Sequence, residues 1–397
     1  MKLIILTSIY PSENNGKAGN MTLYEIVKQL LLKNIEIKII FKPAFKVKTF
    51  PDSETNLKKI GTIEIEDYSY IVNKKKINLS FRFLRKLFDT YKNVDDYDFD
   101  YSDIVSSIKN FEPNKVIFFW DTILESISSQ IKQYDTVYYG AKPPYAAFYN
   151  SIKSEKNVLK KLTNYLIFKK KQKRHLSNIN NIKKVFNISK LDSLYYNKMK
   201  VKCKYLPNTT CDRFTESWRK QKKEIILGNI SDLNATGNSQ GLNFLNSKIY
   251  PHIKTEFENK NKKILISGAG QLNKKFKNIL NDNLFVKLGF VKDLDSLVLS
   301  SEIFLMLNNF GSYTGGYTRI IYFFSAGGCL IAHKNLKKDM PEVKNNYNCL
   351  LANNEFGIVK QLFKALNDSK LRKRIGKNAR KTFEQKYLSQ KIIKNFF

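Results

Sequence analysis

The first forty residues restrict the fold of this chain strongly, because they alternate strand and helix patterns. Residues 2–9 form a continuous apolar run, which is typical of a strand buried on both faces of a parallel sheet. A loop rich in Asn and Gly follows, and apolar residues then recur at helical spacing up to a stop signal at Asn34. Residues 35–41 have the pattern of the next strand. This β-α-β opening predicts a parallel sheet with right-handed crossovers.

The same alternation runs through most of the chain and restarts after residue 207. Further strands are predicted at 115–120, 136–139, 184–188, 224–227, 263–267, 284–288, 303–307 and 329–332. Because 397 residues exceed what one compact core normally holds, two domains are expected. We therefore predict an α/β protein with two Rossmann-like domains, 1–206 and 207–383. The tail is predicted as two helices divided near Gly376 or at residues 386–387, and residues 384–397 are expected to pack back on the first domain.

Charge is the strongest compositional signal. The net charge of +34, from 69 Lys and Arg against 35 Asp and Glu, favours polyanionic partners. Nucleic acid, anionic lipid and nucleotide substrates all meet that description. Part of the excess has a compositional explanation, because Lys, Asn, Ile, Phe and Tyr are all abundant, as in AT-rich coding sequence.

The cellular compartment is predicted from features that do not occur in the sequence, namely membrane spans, a signal peptide and disulfide patterns. No apolar run of about 18 residues occurs, and the first residues do not have the pattern of a signal peptide. The four cysteines, at positions 203, 211, 329 and 349, show neither metal-ligand spacing nor a disulfide pattern. These features favour a reduced, cytoplasmic protein without a metal site.

The segment 311–332 has the pattern of an anion-binding site. Gly315 and Gly316 precede Arg319, which opens a short apolar helix that a second glycine pair ends. Backbone N–H groups at a helix start point at an anion, and glycine lets the anion come close. A tight turn followed by an ordinary core helix explains the same residues, and this segment alone does not decide between the two.

A series of motifs extends in order through most of the chain. The series comprises strand 4–11 with its Gly/Asn loop, 184–189, 206–214, Gly228 with Gly241 and Pro251, 264–270 and 288–294. In this order the motifs resemble those of GT-B glycosyltransferases, which use nucleotide-activated sugars. The resemblance implies two Rossmann-like domains facing each other across a cleft, with the acceptor on the first and the nucleotide-sugar on the second. It also implies an acceptor-side loop that contains Asn15, Gly16 and Gly19.

In that family the segment 311–332 is the donor phosphate site. Gly315 and Gly316 would let the diphosphate approach the backbone, while Arg319 would neutralise the charge on the leaving nucleotide without a metal. The other donor-side residues that the resemblance implies are Tyr317, Thr318, Tyr322, Asn229, Gly268 and His333. His333 also fits a neutral loop residue. Gly268 belongs to a glycine turn that imitates a dinucleotide fingerprint but lacks its third glycine, which is weak evidence for NAD.

The chain departs from the family pattern at charged positions. Retaining members carry glutamates where this chain has Thr314 and Tyr322, and an Arg and a Lys near the positions of Asn229 and Gln240. The chain is then either a divergent branch that holds its donor differently, or a protein that has lost catalysis. Inverting and retaining chemistry both stay open.

An inverting reaction needs a general base for the acceptor hydroxyl, and Asp121 is the candidate. It follows a predicted strand directly, where a βα loop of an α/β domain opens toward the ligand. An N-cap for a helix at 122–131 is an equally good explanation of this residue.

Two basic amphipathic stretches, 74–91 and 156–176, fit an acceptor at a membrane surface. Their Leu, Phe and Tyr side chains would enter the lipid boundary while Lys and Arg meet anionic head groups. Ordinary helices with one buried and one solvated face account for the same pattern.

Taken with the resemblance, these features imply a metal-independent hexosyltransferase that needs no cofactor. Its donor would be a nucleotide-sugar, and its acceptor a growing, lipid-linked bacterial surface glycan of the O-antigen, capsule or lipooligosaccharide type. It would act as a peripheral protein at the cytoplasmic face of the membrane. The enzymatic alternative is a GT-B relative that transfers glycerol phosphate or epimerises a sugar-nucleotide. A basic, non-catalytic nucleic-acid-binding protein is the third reading, although no nucleic-acid motif occurs and no specific nucleic acid is expected.

Overall fold

A computed structural model of the chain describes most of its residues. The described ranges are 1–13, 18–43, 50–69, 101–120, 124–143, 145–146, 152, 155–215, 217, 223–270, 279, 281–308 and 317–397. The chain divides into two compact units: Met1–Leu206 together with Ile392–Phe397, and Pro207–Lys391.

The first unit is built on a parallel sheet. Its described strands are β1 (Lys2–Thr7), β2 (Glu36–Phe41), β3 (Ile63–Asp67), β4 (Lys115–Phe119), β5 (Asp135–Gly140), β6 (Lys184–Asn187) and β7 (Cys203–Tyr205), in the order β3-β2-β1-β4-β5-β6-β7. Its described helices are α1 (Ala18–Leu31), α2 (Pro51–Lys58), α3 (Ser102–Phe111), a 3-10 helix (Leu124–Gln130), α4 (Val158–Ile179) and α5 (Lys190–Lys198). Every described strand pair is parallel, so each connection is a crossover.

Local sequence explains the centre of this unit. β1 and β4 are continuous apolar runs because helices cover both faces of the sheet, and their side chains are almost all buried. Leu6 and Phe118 lie in one hydrophobic cluster with Ile104 from α3. The predicted stop at Asn34 is confirmed, since this residue takes the left-handed conformation (φ 57°) that Asn tolerates after a helix.

The second unit repeats the plan with a separate sheet. Its described strands are β8 (Lys223–Ile230), β9 (Ile264–Ser267), β10 (Phe285–Gly289), β11 (Ser301–Met306), β12 (Cys329–His333) and β13 (Leu350–Ala352), in the order β10-β9-β8-β11-β12-β13. The described helices are α6 (Thr236–Phe244), α7 (Tyr250–Asn259), α8 (Leu294–Ser300), α9 (Tyr317–Ser325), α10 (Leu336–Asp339), α11 (Glu355–Asn367), α12 (Ser369–Lys386) and α13 (Ser389–Ile393). All these strand pairs are parallel as well.

The strand order reverses once in each sheet, between β1 and β4 and between β8 and β11. At such a point the loops on the two sides of the reversal diverge and leave a crevice at the carboxyl ends of the strands. Ligands of open α/β sheets bind there. The topology therefore predicts a ligand site at the carboxyl ends of β1 and β4 in the first unit, and at those of β8 and β11 in the second.

The α/β prediction is confirmed, and every predicted strand is present with boundaries that shift by a few residues. Strands β3, β7 and β13 were not predicted from the sequence. β7 and β13 have only three residues each, and β3 alternates apolar and acidic side chains, so that none gives a long apolar run. α6 and α7 form one long helical path, in which a π-helical turn at Leu245–Ile249 joins the two helices.

The tail differs in detail from the expectation. The predicted division at residues 386–387 is confirmed, since α12 ends at Lys386 and α13 begins at Ser389, and the alternative near Gly376 is wrong because α12 continues through that residue. Glycine is needed there for close packing, since a Cβ atom at Gly376 would lie 2.2 Å from the carbonyl oxygen of Gly327. The segment that belongs to the first unit begins at Ile392 instead of at residue 384. Within it, the buried Phe396 contacts the Tyr139 ring, with 5.5 Å between ring centroids.

Candidate functional site

Helix α9 presents Arg319 at the carboxyl edge of the second sheet. The helix begins at Tyr317, and its apolar side packs into the core through Ile320 and Phe323. The Phe323 ring stacks on Phe304 of β11, with centroids 3.7 Å apart. Gly327, with a left-handed φ of 66°, ends the helix as predicted. A firmly packed helix thus places a guanidinium in its first turn, where backbone N–H groups and the helix dipole favour an anion.

Arg319 reaches across the reversal point of the sheet toward β8. Its Nη1 atom lies 3.5 Å from Oδ1 of Asn229, a buried residue at the end of β8. The Asn229 amide nitrogen donates to the carbonyl oxygens of Ser231 (2.6 Å) and Ser267 (2.8 Å). Asn229 therefore holds the ends of β8 and β9 together while its oxygen faces the arginine.

Gly268 is required by the close approach of two loops. Its φ is 146°, and a Cβ atom at this position would lie 2.0 Å from the Ser231 carbonyl oxygen. Only glycine meets both demands. The resulting turn lets the backbone after β9 pass next to the loop after β8, beside Asn229.

A second contact fixes the start of α9. The buried Asn208 donates its side-chain N–H to the hydroxyl of Thr318 (2.8 Å). Its neighbour Thr209 donates to the carbonyl oxygen of Tyr387 (2.6 Å). The segment after Pro207 therefore holds the first turn of α9 in place, a role for Asn208 that sequence reasoning did not assign.

Tyr322 lies one turn after Arg319 and pairs with a carboxylate. Its hydroxyl donates to Asp295 of α8, whose other oxygen accepts from Arg213 (3.0 Å). Burial and the hydrogen bond to Asp295 raise the pKa of Tyr322, so that the phenol stays protonated. Burial opposes the charge of Arg213, but Asp295 more than compensates and raises the pKa of that guanidinium. A carboxylate from another helix thus lies beside Tyr322, a position where the resemblance predicted a glutamate in retaining enzymes.

Phe290 is a further candidate that sequence reasoning passed over. It follows Gly289 at the end of β10, and 78% of its surface is exposed. Gly289 has a φ of 63°, which turns the chain at the carboxyl edge. An exposed aromatic ring at the carboxyl edge of the sheet is suited to stack on a flat ring system. Its only sequence signal was an apolar residue directly after a strand.

His333, a predicted donor contact, is held by the backbone on both sides of its ring. Nε2 donates to the carbonyl oxygen of Asn353 (2.9 Å), and Nδ1 accepts from the N–H of Asn335 (3.2 Å). Burial lowers the pKa of this imidazole, the charges of Lys334 and Lys338 lower it further, and the bond to Asn353 opposes them. These contacts favour the neutral loop residue over the phosphate ligand.

Several predicted site residues lie outside the described part of the structure: Asn15, Gly16, Asp121, Gly315, Gly316 and the side chain of Tyr317. Gly19 is described, in the first turn of α1. A Cβ atom there would lie 2.9 Å from Cδ1 of Ile9 and 3.2 Å from the indole of Trp120. Packing between the ends of β1 and β4 therefore explains this glycine, and its acceptor role stays a prediction.

Metal binding and membrane crossing have no candidate element within the described ranges. No group of three or more His, Cys, Asp or Glu side chains there has the arrangement of a metal site. None of the described helices combines the length and apolar character needed to cross a membrane.

Comparison with known proteins identifies the fold. No protein-family model matches the sequence, and no curated protein is recognisably similar to it. Solved structures do match. HepE of Anabaena in complex with UDP is 13% identical to this chain; the match covers 100% of this chain and 98% of HepE, with a TM-score of 0.61. Sucrose-phosphate synthase of Thermosynechococcus elongatus is 12% identical, with 100% of this chain and 97% of the synthase covered and a TM-score of 0.63. A TarM variant of S. aureus in complex with UDP is also 12% identical, with 100% of this chain and 98% of TarM covered and a TM-score of 0.64. The chain has the GT-B fold of these glycosyltransferases.

Proposed function

We propose that this protein is a glycosyltransferase whose second unit binds a nucleotide-sugar donor. The observation that carries the proposal is the placement of Arg319. It lies in the first turn of α9, at the reversal point of the second sheet, and faces Asn229 across that point. A cation at a helix start in this location has the chemistry of a diphosphate site.

Arg319 would act on the leaving group. When the bond between sugar and diphosphate breaks, negative charge grows on the departing nucleotide. A guanidinium with two parallel N–H groups stabilises that charge in a bidentate manner, and the helix dipole adds to it. These groups supply the positive charge that a metal would otherwise provide, so we expect turnover to be unchanged by EDTA.

The other donor contacts follow from the same edge. The base would stack on Phe290, while Tyr322 and its partner Asp295 would lie beside the ribose and sugar in place of the family glutamate. HepE structures contain UDP, UDP with glucose, and UDP-glucose, which supports a nucleotide-sugar as donor and makes UDP the first probe.

The acceptor would be a growing, lipid-linked bacterial surface glycan, bound by the first unit at the cytoplasmic face of the membrane. The net charge of +34 supports this part of the proposal, because the inner leaflet is anionic. Asp121 stays the predicted base of an inverting reaction. Measuring the anomer of the product would decide between inversion and retention.

Calorimetric titration with UDP tests the donor site. Arg319→Ala should weaken UDP binding by about 1.5–3 kcal/mol, which is about 10- to 150-fold, the scale of a charged hydrogen bond. Arg374→Ala is the matched control, since Arg374 is exposed on α12 and donates to the Asn346 carbonyl. Unchanged UDP affinity in a folded Arg319→Ala protein would contradict the phosphate assignment. A wild-type protein that binds none of UDP, GDP, CDP and ADP would contradict the proposed donor class.

A further inference from the structure

Helix α4 is only half packed. Its second half is buried through Ile167, Phe168, His175 and Ile179. Its first nine residues expose five large apolar side chains, each with 45–77% of its surface accessible: Val158, Leu159, Leu162, Tyr165 and Leu166. Single exposed leucines are common on protein surfaces, but a contiguous group of this size marks an interaction site. We call residues 158–166 the apolar tip of α4.

The apolar tip is regular helix on a fixed base. Asn157 caps the helix by accepting from the Lys160 N–H (3.1 Å). At the other end, the buried His175 ring contacts Glu125 through Nδ1 (2.6 Å) and the Tyr196 hydroxyl through Nε2 (2.7 Å). The exposed turns therefore continue a helix that the core holds firmly, instead of fraying as a loose terminus would.

The charge on α4 itself is of one sign, while Glu155 lies just before the helix and accepts from the Asn157 N–H (2.9 Å). α4 carries seven basic residues and no acidic one, and its basic residues are Lys160, Lys161, Lys169, Lys170, Lys171, Lys173 and Arg174. Lys160 and Lys161 are exposed within the tip itself. The Lys169 ammonium lies 5.7 Å from the centre of the Tyr165 ring, at the border between the tip and the packed half.

An anionic membrane surface offers both an apolar phase and negative charge. A nucleic acid supplies phosphates but no apolar interior for Leu159, Leu162 and Leu166. A second copy of this chain would bring the same positive surface and a net charge of +34, so the two would repel. An anionic bilayer accepts leucine side chains below its head groups while lysines reach up to the phosphates.

We infer that the apolar tip of α4 is a membrane-docking element that inserts into the surface of an anionic bilayer. Val158, Leu159, Leu162 and Leu166 enter the acyl boundary, and Lys160, Lys161 and Lys169 contact the lipid phosphates. The inference rests on the proposed function for its purpose, since docking would bring the first unit to a lipid-linked acceptor. Within the basic stretch 156–176, which the sequence predicted to meet a membrane, the inference limits the inserted apolar part to the tip, because Ile167 and Phe168 are buried in the core.

Vesicle cosedimentation of the full-length protein tests the inference without donor or acceptor. The probes are vesicles of phosphatidylcholine with phosphatidylglycerol, and vesicles of phosphatidylcholine alone. A triple variant, Leu159→Gln, Leu162→Gln and Leu166→Gln, keeps helix-forming residues but removes the apolar surface. A second triple variant, Lys160→Gln, Lys161→Gln and Lys169→Gln, removes the charge. Leu191→Gln with Leu194→Gln is the matched control, because both leucines are exposed on α5.

We expect wild type to bind the anionic vesicles and not the neutral ones. Each triple variant should lower the partition coefficient by about tenfold or more, because each buried methylene and each lysine at the surface contributes to binding. The α5 control should stay within about twofold of wild type, as expected for single exposed leucines outside the contact.

The inference is overturned if the leucine variant, with unchanged circular dichroism, binds anionic vesicles as tightly as wild type. It is also overturned if wild type binds neutral vesicles equally well, or if the leucine variant only converts an oligomer to a monomer in light scattering. UDP titration separates this result from the donor proposal. Vesicle binding without UDP binding contradicts only the donor site, and UDP binding without vesicle binding contradicts only the docking element.

Discussion

Arg380 of α12 binds Asp212 with both terminal nitrogens, at 2.8 Å and 2.7 Å. Its Nη1 also donates to the Ser325 carbonyl at the end of α9, and its Nε donates to Glu384. Burial opposes the charge of Arg380, but the bonds to Asp212 and Glu384 raise the pKa of its guanidinium. The ion pair thus fastens the segment after Pro207 to α12 and to the end of α9.

Removing the charge of Asp212 should destabilise the second unit. Asp212→Asn leaves a buried guanidinium with one carboxylate fewer, and breaking a buried ion pair costs about 3–5 kcal/mol. Because Glu384 remains, we expect a loss near the lower end of that range. Urea unfolding followed by circular dichroism measures it.

The exposed ion pair between Glu256 of α7 and Lys260, the residue directly after α7, is the control for this prediction. Glu256→Gln should change stability by less than about 1 kcal/mol, since exposed ion pairs contribute little. Equal effects of the two substitutions would show that the Asp212 pair is not a clamp.

Substitutions at two glycines, Gly268 and Gly289, distinguish the cost of a steric clash from the cost of backbone strain. Gly268→Ala introduces a Cβ atom 2.0 Å from a carbonyl oxygen, whereas Gly289→Ala, at φ 63°, meets no atom within 4 Å. Gly289→Ala should therefore cost only the strain of a left-handed residue, about 1–2 kcal/mol. Gly268→Ala should cost more in thermal unfolding and should also weaken UDP binding, because the loops beside Asn229 must move. A Gly268→Ala protein as stable as Gly289→Ala would contradict the close approach.

Phe290 should contribute to nucleotide affinity without contributing to stability. Phe290→Ala removes an exposed ring, and base stacking on an aromatic side chain contributes about 1–3 kcal/mol per base. UDP titration should show that loss, with an unchanged melting temperature. Phe356→Ala is the control, because its ring is also largely exposed, at the start of α11. If both variants bind UDP like wild type, the stacking role is wrong.

The pH dependence of stability should contain a contribution from His333. Its folded pKa lies below 6.5, so the unfolded chain takes up a proton before the folded one as the pH falls. Stability is unaffected by this group above about pH 7 and is lost as the pH falls through 6.5 toward the folded value. His333→Gln preserves a donor and an acceptor but cannot titrate. Its unfolding curves should therefore depend less steeply on pH than those of wild type between about pH 7 and 5, and equal slopes would contradict this account.

Periodicity along the chain was enough to predict the fold class. A strand buried on both faces needs an apolar run, and a helix on a sheet needs an apolar stripe, so each pattern records its own local environment. For this reason the β-α-β opening, the restart after residue 207 and Arg319 at a helix start could all be recognised. The short strands β7 and β13 could not, because three residues carry too little pattern.

Contacts between residues far apart in the chain needed the folded structure. The pairing of Tyr322 with Asp295, the clamp between Arg380 and Asp212, and the backbone bonds of His333 join separate elements. α4 shows the same point, since its amphipathic pattern is continuous but only its second half meets a core. A sequence pattern states that a helix has an apolar side. Which part of that side is covered depends on how distant elements pack, and this packing leaves the apolar tip exposed.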